Sequence, residues 1–263
     1  VSYLFRYKPF SLVSGIGYRY KRTKEEEIFD SFPFRRNYNE KFANAYVYGR
    51  IDILKNLNVT IGVSGESLRA DVRNWDDDQL NPKLGIVWNP WPKTTVRGGF
   101  FRTLQQPWLS KKALNPSLEP TQIGGFNQFF LGGTGDSAWR YGVGIDQKLP
   151  HHLYAGAEIL FSDLEAAFWN SQVEPPVIVR RDRDLQNGRA YINWAPFSWL
   201  ALTTQYLYER VDADIKGGFF GIEEAKKIRT HQGVFGARYF HPCGITMGAF
   251  ATYIYQKGDF VTF

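Results

Sequence analysis

Trp139-Arg140-Tyr141-Gly142-Val143-Gly144-Ile145-Asp146, a break at Lys148-Leu149-Pro150-His151, then Leu153-Tyr154-Ala155-Gly156-Ala157-Glu158-Ile159-Leu160-Phe161-Ser162: the fold turns on this stretch. Trp139, Tyr141, Val143 and Ile145 alternate with Arg140, Gly142, Gly144 and Asp146. Past the break, Leu153, Ala155, Ala157, Ile159 and Phe161 alternate with Gly156, Glu158 and Ser162. Side chains two residues apart share one face of a β-strand, so each run is a strand with one apolar and one polar face. A Pro-containing break of a few residues between two such runs makes a hairpin.

The same rhythm recurs outward in both directions. Leu12, Ile16, Tyr18 and Tyr20 alternate with Ser11, Gly15, Gly17 and Arg19; Val59, Ile61 and Val63 alternate with Thr60, Gly62, Ser64 and Glu66. About 12 strands are expected, near 1–8, 10–20, 43–54, 58–68, 81–89, 94–103, 138–148, 152–163, 188–195, 199–210, 229–240 and 244–256. Short turns join them in pairs, and longer polar connections (21–42, 69–80, 104–137, 164–187, 211–228) separate the pairs. Short and long connections that alternate belong to outer-membrane barrels, with short periplasmic turns and long extracellular loops. The strand-like piece at 122–130 breaks this parity if it spans, so 104–137 is expected to be one extracellular excursion with 122–130 a non-spanning part of it.

Composition points the same way. Of 263 residues 17% are aromatic and 25 are Gly, with one Cys and one Met. Mean hydropathy is −0.36. There is no apolar run of ~18 residues for a helical span, no second Cys for a disulfide, and too many aromatics for disorder. The formal charge of +6 is modest and calls for no nucleic acid. The fold class read from these facts is all-β: a transmembrane antiparallel up-and-down β-barrel, one domain over 1–263, expected to be incomplete at both ends and part of a larger barrel. The face opposite the apolar stripe carries Arg19, Arg50, Asp52, Glu66, Arg97, Arg140, Asp146, Glu158, Arg189, Gln205, Glu209 and Arg238, expected to face the lumen. On the lipid side each Arg or Lys at mid-membrane would cost ~2–4 kcal/mol. Aromatics gather where strands meet turns: Phe10, Trp88, Trp91, Phe197, Trp199, Tyr239 and Phe240 are expected to form an interfacial girdle.

A resemblance enters at residues 79–131. Leu80-Asn81-Pro82-Lys83-Leu84-Gly85-Ile86-Val87-Trp88, followed by Thr95-Val96-Arg97-Gly98-Gly99-Phe100-Phe101-Arg102, resembles the barrel of TonB-dependent receptors. Leu114-Asn115-Pro116-Ser117-Leu118-Glu119-Pro120-Thr121 is similar to that family's N-P-x-L-x-P-E loop, with Thr121 where Glu is usual. The continuation through Gly125-Phe126-Asn127-Gln128-Phe129-Phe130 and Trp139–Lys148 is closer to barrels that follow tetratricopeptide repeats. The resemblance implies solute uptake or passage across the outer membrane, with the lipid bilayer and lipopolysaccharide as surroundings and a plug domain or tetratricopeptide repeats as partners in a longer chain. Complete receptor barrels have 22 strands, more than this chain supplies, and no plug or TonB-contacting box is visible.

No nucleophile elbow, phosphate loop or zinc spacing is present, so no catalysis, cofactor or metal is expected. His151-His152 reads as a solvated turn, Cys243 as an inert turn residue, His231 as an interfacial strand residue, and Asp76-Asp77-Asp78 as a solvated loop. The mixed-charge runs Lys21–Glu27 and Arg180–Asp184 read as loop tips able to meet lipopolysaccharide phosphates. Two alternatives stand beside the uptake reading: a barrel module of a tetratricopeptide-repeat protein that exports or anchors an extracellular polymer, and a soluble antiparallel β carbohydrate-binding protein.

Overall fold

The computed structural model describes residues 1–29, 32–71, 75–105, 119–128, 133–170, 177–213 and 223–262. Alternation along the chain becomes β1 (Ser2–Tyr7), β2 (Phe10–Phe29), β3 (Phe32–Leu54), β4 (Leu57–Ala70), β5 (Trp75–Trp91) and β6 (Thr94–Leu104). After the short β7 (Gln122–Ile123) and β8 (Phe126–Asn127) come β9 (Ser137–Leu149), β10 (Leu153–Asn170), β11 (Val177–Phe197), β12 (Leu200–Ala213), β13 (Glu223–Phe240) and β14 (Thr246–Thr262). Twelve of these form one antiparallel sheet in strict chain order, while β7 and β8 make a separate two-stranded hairpin. β1 and β14 are the edges of the sheet; among the described residues they do not pair with each other. This is the up-and-down meander expected of the barrel.

Each expected strand is present, but the expected long loops are mostly strand. Residues 21–29 and 32–42 continue β2 and β3, 164–170 and 177–187 continue β10 and β11, and 223–228 begin β13. The β2–β3 and β10–β11 ladders run without interruption, Lys21 facing Glu40 and Asp163 facing Asp184, while the β13–β14 ladder shifts register between Ala225 and Lys227. The reason is that these ends project beyond the ~9–11 residues a tilted strand needs to cross hydrocarbon. Beyond the hydrocarbon the bilayer no longer sorts the two faces, so the period-2 pattern that marks a strand is lost while the backbone pairing persists. Opposite charges across the ladder help, as Lys21 and Glu40 at 3.0 Å do.

The apolar band can be read off the register of β11–β14. On one face, Trp194, Leu202, Ala237 and Ala249 stand in a row; then Ile192, Thr204, Phe235 and Ala251; then Ala190, Tyr206, Gly233 and Tyr253; then Gly188, Tyr208, His231 and Tyr255. The next row is Gln186, Arg210, Arg229 and Lys257, where the band ends. From Arg229 back to Tyr239 at the turn end, β13 runs about 34 Å at ~3.4 Å per residue. Tilted by ~40°, that is a height of about 26 Å, which matches the ~25 Å lipid-facing band of outer-membrane barrels.

The other face holds the buried core. Tyr46 and Tyr48 of β3, Phe101 of β6, and Ile123 and Phe126 of the hairpin form one cluster, with Val13 of β2 and Leu160 of β10 packed against it. Side chains from β2, β3, β6 and β10 meet only if the sheet curls, with this face inside the curve. The expectation for 104–137 is therefore corrected in part. The 122–130 piece does not span, but its described residues lie against the inner wall and not outside the barrel. Residues 106–118 and 129–132 fall outside the described residues, and with them most of the Leu114–Thr121 motif.

Candidate functional site

Strand alternation puts all twelve of the charged and polar candidates on the hairpin-bearing face, and the structure brings five of them into contact with one another or with the hairpin. Arg97 of β6 is the hub. Its Nε donates to Asp146 Oδ2 at 2.7 Å, its Nη2 donates to Glu158 Oε2 at 2.9 Å, and its Nη1 donates to the Gly125 carbonyl at 3.2 Å. Tyr191 Oη donates to Asp146 Oδ1 at 2.6 Å, and Arg189 approaches Glu158 at 3.8 Å. Two guanidinium groups thus face two carboxylates across four neighbouring strands, and the wall is locally neutral. Arg140 donates from Nε to Ser162 Oγ at 3.1 Å and from Nη1 to the Asn127 carbonyl at 2.8 Å. Arg97 and Arg140 therefore hold the β7–β8 hairpin by two of its carbonyl groups. Arg97 also stacks over the Phe126 ring at 5.4 Å.

The hairpin fits because the wall beneath it has no side chains. A Cβ on Gly85 would run into the backbone of Gly124, and a Cβ on Gly99 would lie 2.9 Å from the Ile123 carbonyl oxygen. Gly124 has φ +57 and itself sits against the Gly98 carbonyl. On this glycine seat Ile123 is 0% and Phe126 4% exposed.

A second polar cluster, not foreseen from the sequence, sits at the hairpin's entry. Glu119 accepts from Tyr48 Oη at 2.7 Å and from Asn44 Nδ2 at 3.5 Å, and Gln128 lies 3.4 Å from the same Tyr48 oxygen. Gln128 also donates to the Pro120 carbonyl, and its backbone N–H to the Thr121 carbonyl at 3.0 Å, which closes the hairpin. Burial pushes the Glu119 carboxyl above its ordinary range; the Tyr48 hydrogen bond and the charges of Lys83 and Arg19 oppose that shift. In the motif around it, Thr121 replaces the usual Glu, and Glu119 two residues earlier is the carboxylate that is buried. The β5 residues Asn81 and Lys83 are 0% and 3% exposed, Asn81 donating to Glu66 at 3.0 Å and Lys83 to the Arg102 carbonyl at 2.5 Å. Their alternation with Leu80, Pro82 and Leu84 was the available signal.

The remaining candidates are more dispersed. Arg19 lies over the Phe42 ring at 6.0 Å, Asp52 accepts from Asn58 at 2.6 Å, and Glu209 from Asn187 at 3.3 Å. Arg50, Gln205 and Arg238 share the face but stand apart from the network around Arg97. Beside that network lies a cavity of about 860 Å³, lined by Arg97, Glu158, Arg189, Glu209 and Gln232 among others. Of the girdle residues, Phe197 stacks on Trp199 at 5.0 Å and Trp199 meets Tyr239 at 5.9 Å. Phe10, which begins β2, and Trp88 and Trp91, near and at the end of β5, lie on the same apolar face close to the short turns. Phe240 does not join them: it follows Tyr239 directly, and consecutive strand residues point to opposite faces.

Other motifs find ordinary partners. Asp76 and Asp78 pair with Arg69 at 3.4 and 2.6 Å, and Asp77 pairs with Arg180 at 2.6 Å, so these residues belong to strand ends and not to free loop tips. His151 and His152, with φ of 58 and 57, are the two central residues of the β9–β10 turn. Cys243 is exposed in the β13–β14 turn.

These features define a class: an outer-membrane β-barrel wall, apolar outside and charged inside, with a segment of its own chain folded inward. The profile described as TonB dependent receptor-like, beta-barrel, matches residues 2–135, and the chain belongs to that family. Among solved structures it is similar to the FrpB iron transporter from Neisseria meningitidis (F3-3 variant), at 11% identity and a TM-score of 0.63, over 98% of this chain and 47% of that one. It is similar to the siderophore receptor PirA from Acinetobacter baumannii at 13% identity and a TM-score of 0.56, over 97% of this chain and 46% of that one. For the copper transporter OprC the identity is 10% and the TM-score 0.56, over 95% of this chain and 46% of that one. The chain thus spans just under half the length of these structures. No curated protein sequence matches it.

Proposed function

We propose that this chain forms part of the wall of a TonB-dependent uptake channel, which passes a solute from outside the cell across the outer membrane. The observation that carries the reading is the inner wall: a locally neutral set of charges that holds an inward-folded segment on a glycine seat. A lumen built this way offers fixed hydrogen-bonding groups to an internal plug and a passing solute, and no strong field of one sign. Arg19, Arg50, Asp52, Glu66, Arg97, Arg140, Asp146, Glu158, Arg189, Gln205, Glu209 and Arg238 are its proposed lumen-facing residues. Phe10, Trp88, Trp91, Phe197, Trp199 and Tyr239 are the proposed girdle. The open edges of β1 and β14 favour a larger barrel, because each unpaired backbone group left in hydrocarbon costs several kcal/mol.

The solved neighbours named for iron, copper and siderophores make metal-bearing solutes the first to try. The test compares cells with and without the full-length gene, and with and without TonB, for accumulation of labelled ferric chelates and copper complexes. Accumulation should require both. Equal accumulation of every solute in all four strains would leave the transport reading without support.

A further inference from the structure

The neutrality around Arg97 does not reach the short-turn end of β1–β4. Along β1, Tyr3, Phe5 and Tyr7 alternate with Ser2, Leu4 and Arg6. Ser2 Oγ lies 2.7 Å from Tyr46 Oη, which belongs to the inner cluster. Ser2, and with it Arg6 four residues on, therefore shares the inner face. The ladders set Arg6, Ser11, Arg50 and Thr60 in one row across the four strands. Lys8 lies in the turn between β1 and β2, and Asp52 follows Arg50 on the same face of β3.

Arg6, Lys8 and Arg50 are exposed. Among the described residues no carboxylate forms an ion pair with any of them. All three line a cavity of about 470 Å³, bounded by β1–β4 and by Pro120 and Gln122 of the inward-folded segment. Among the described residues lining it, Asp52 is the only carboxylate, and it accepts from Asn58 Nδ2 at 2.6 Å. The lining thus carries a formal excess of two positive charges.

The spacing suits a small oxyanion. Arg6 and Arg50 stand two strands apart, about 9–10 Å at ~4.8 Å per strand, with Ser11 between them. Two guanidinium groups so placed can close on one tetrahedral ion, each donating two parallel hydrogen bonds. The Ser11 and Thr60 hydroxyls supply further donors. Two excess charges match a phosphate monoester, which carries about −1.5 to −2 at pH 7, better than a single carboxylate. The cavity falls within the ~300–1,000 Å³ usual for small-molecule sites. In the next row Leu4, Val13 and Tyr48 offer an apolar side to an organic group on the ion.

We propose that this pocket binds a phosphate dianion, free or esterified to a small solute, held between Arg6 and Arg50 with help from Lys8, Ser11 and Thr60. The proposal rests on the reading of this face as the wall of a channel lumen. Its place is the end of the short turns, periplasmic in barrels of this kind, where a solute leaves the channel.

The test uses the full-length protein, purified in detergent and phosphate-free buffer. Inorganic phosphate, glucose 6-phosphate, glucose and acetate are titrated separately by calorimetry. Both phosphates should bind at least tenfold more tightly than acetate, and glucose should not bind. Tighter binding of glucose 6-phosphate than of inorganic phosphate would assign the site to a phosphorylated solute, and equal binding to the free ion. R6A/R50A should weaken phosphate binding at least tenfold; R6K/R50K, which keeps the charge and loses the fork, should weaken it about threefold. Acetate binding as tightly as phosphate would overturn the dianion, and unchanged phosphate binding by R6A/R50A would overturn the assigned residues. Binding of neither phosphate would overturn the site and leave its cations to an acidic group elsewhere in the longer chain. Should R6A/R50A fail to assemble, wild type decides alone: phosphate affinity unchanged from about 50 to about 500 mM salt, over which screening shortens severalfold, would refute the charge contact. None of these measurements involves TonB, so a failure here and a failure of the uptake reading are separate results.

Discussion

Gly124→Ala should release the β7–β8 hairpin from the inner wall while leaving the barrel assembled. Two effects act together. Gly124 has φ +57, and an L-residue in the left-handed region costs ~1–2 kcal/mol. The added Cβ would also strike the Gly98 carbonyl, far inside van der Waals contact. Both partners there are backbone, so no rotamer change relieves the clash, and the hairpin must lift. Lifting exposes Ile123 and Phe126, now 0% and 4% exposed, at about 1.5–3 kcal/mol each. With ~1.4 kcal/mol per power of ten, the docking equilibrium should fall by roughly two to four powers of ten. Hydrogen exchange at residues 119–128 reads this directly, and heat-modifiable gel migration reports whether the barrel still forms. Gly65→Ala is the control: a Cβ there meets nothing within 4 Å. If exchange at 119–128 were the same in Gly124→Ala as in wild type, the seat as described would be wrong.

Three further outcomes are expected. Val143→Arg on the apolar face should block assembly, at a cost of ~2–4 kcal/mol at mid-membrane, while Gln232→Arg, beside the inner cavity, should assemble; gel migration of the two distinguishes the faces. Hairpin docking should depend on pH through Glu119, whose pKa is raised by burial: the docked state then holds the proton more tightly, so docking is strongest below the ordinary carboxylate range and weakens as pH rises through the raised value. The protection of amides 119–128, taken relative to their intrinsic exchange rate at each pH, should follow that course between pH 4 and 8 in wild type and stay flat in Glu119→Gln. A double-mutant cycle on Arg97→Ala and Asp146→Ala should give a coupling of about 1–3 kcal/mol in denaturant midpoints, the lower half being expected because both groups are partly exposed; additivity would mean that water already screens the pair.

What could be read from the sequence was what alternation encodes. Val143 and Arg140 differ in face because the bilayer imposes a hard sorting on every residue between the aromatic belts, and that sorting repeats strand after strand. Past Arg210 and Arg229 the constraint ends, and β2, β3, β10 and β11 continue as strands whose residues no longer alternate between an apolar and a polar face. Periodicity cannot mark them, although the ladders still close. Phe240 was grouped with Tyr239 by composition at a turn, where only strand phase separates the two faces. The hairpin's place against the inner wall was invisible for another reason. Its place depends on Gly124 meeting Gly85 and Gly98, a contact between segments about 26 to 39 residues apart in the chain, and a glycine that makes room for a neighbour looks the same in sequence as one that makes a turn.

The inner polar residues sort by a second criterion, which only packing supplies. Arg97 and Arg140 read alike as inward-facing cations. Arg97 meets Asp146 and Glu158 and also grips Gly125; Arg140 donates to Asn127 and Ser162. Each anchors one side of the hairpin, so the charges nearest the cavity are already engaged in holding the chain to itself. A solute crossing here would meet a wall whose strongest groups are paired, and selectivity would fall to the less engaged residues along the cavity, Arg189, Glu209 and Gln232. Glu119 adds a control the wall lacks. It joins the hairpin's entry to Tyr48 of β3 through a carboxyl that burial keeps reluctant to ionise. The strength with which this segment stays folded against the wall is therefore expected to follow the proton content of Glu119.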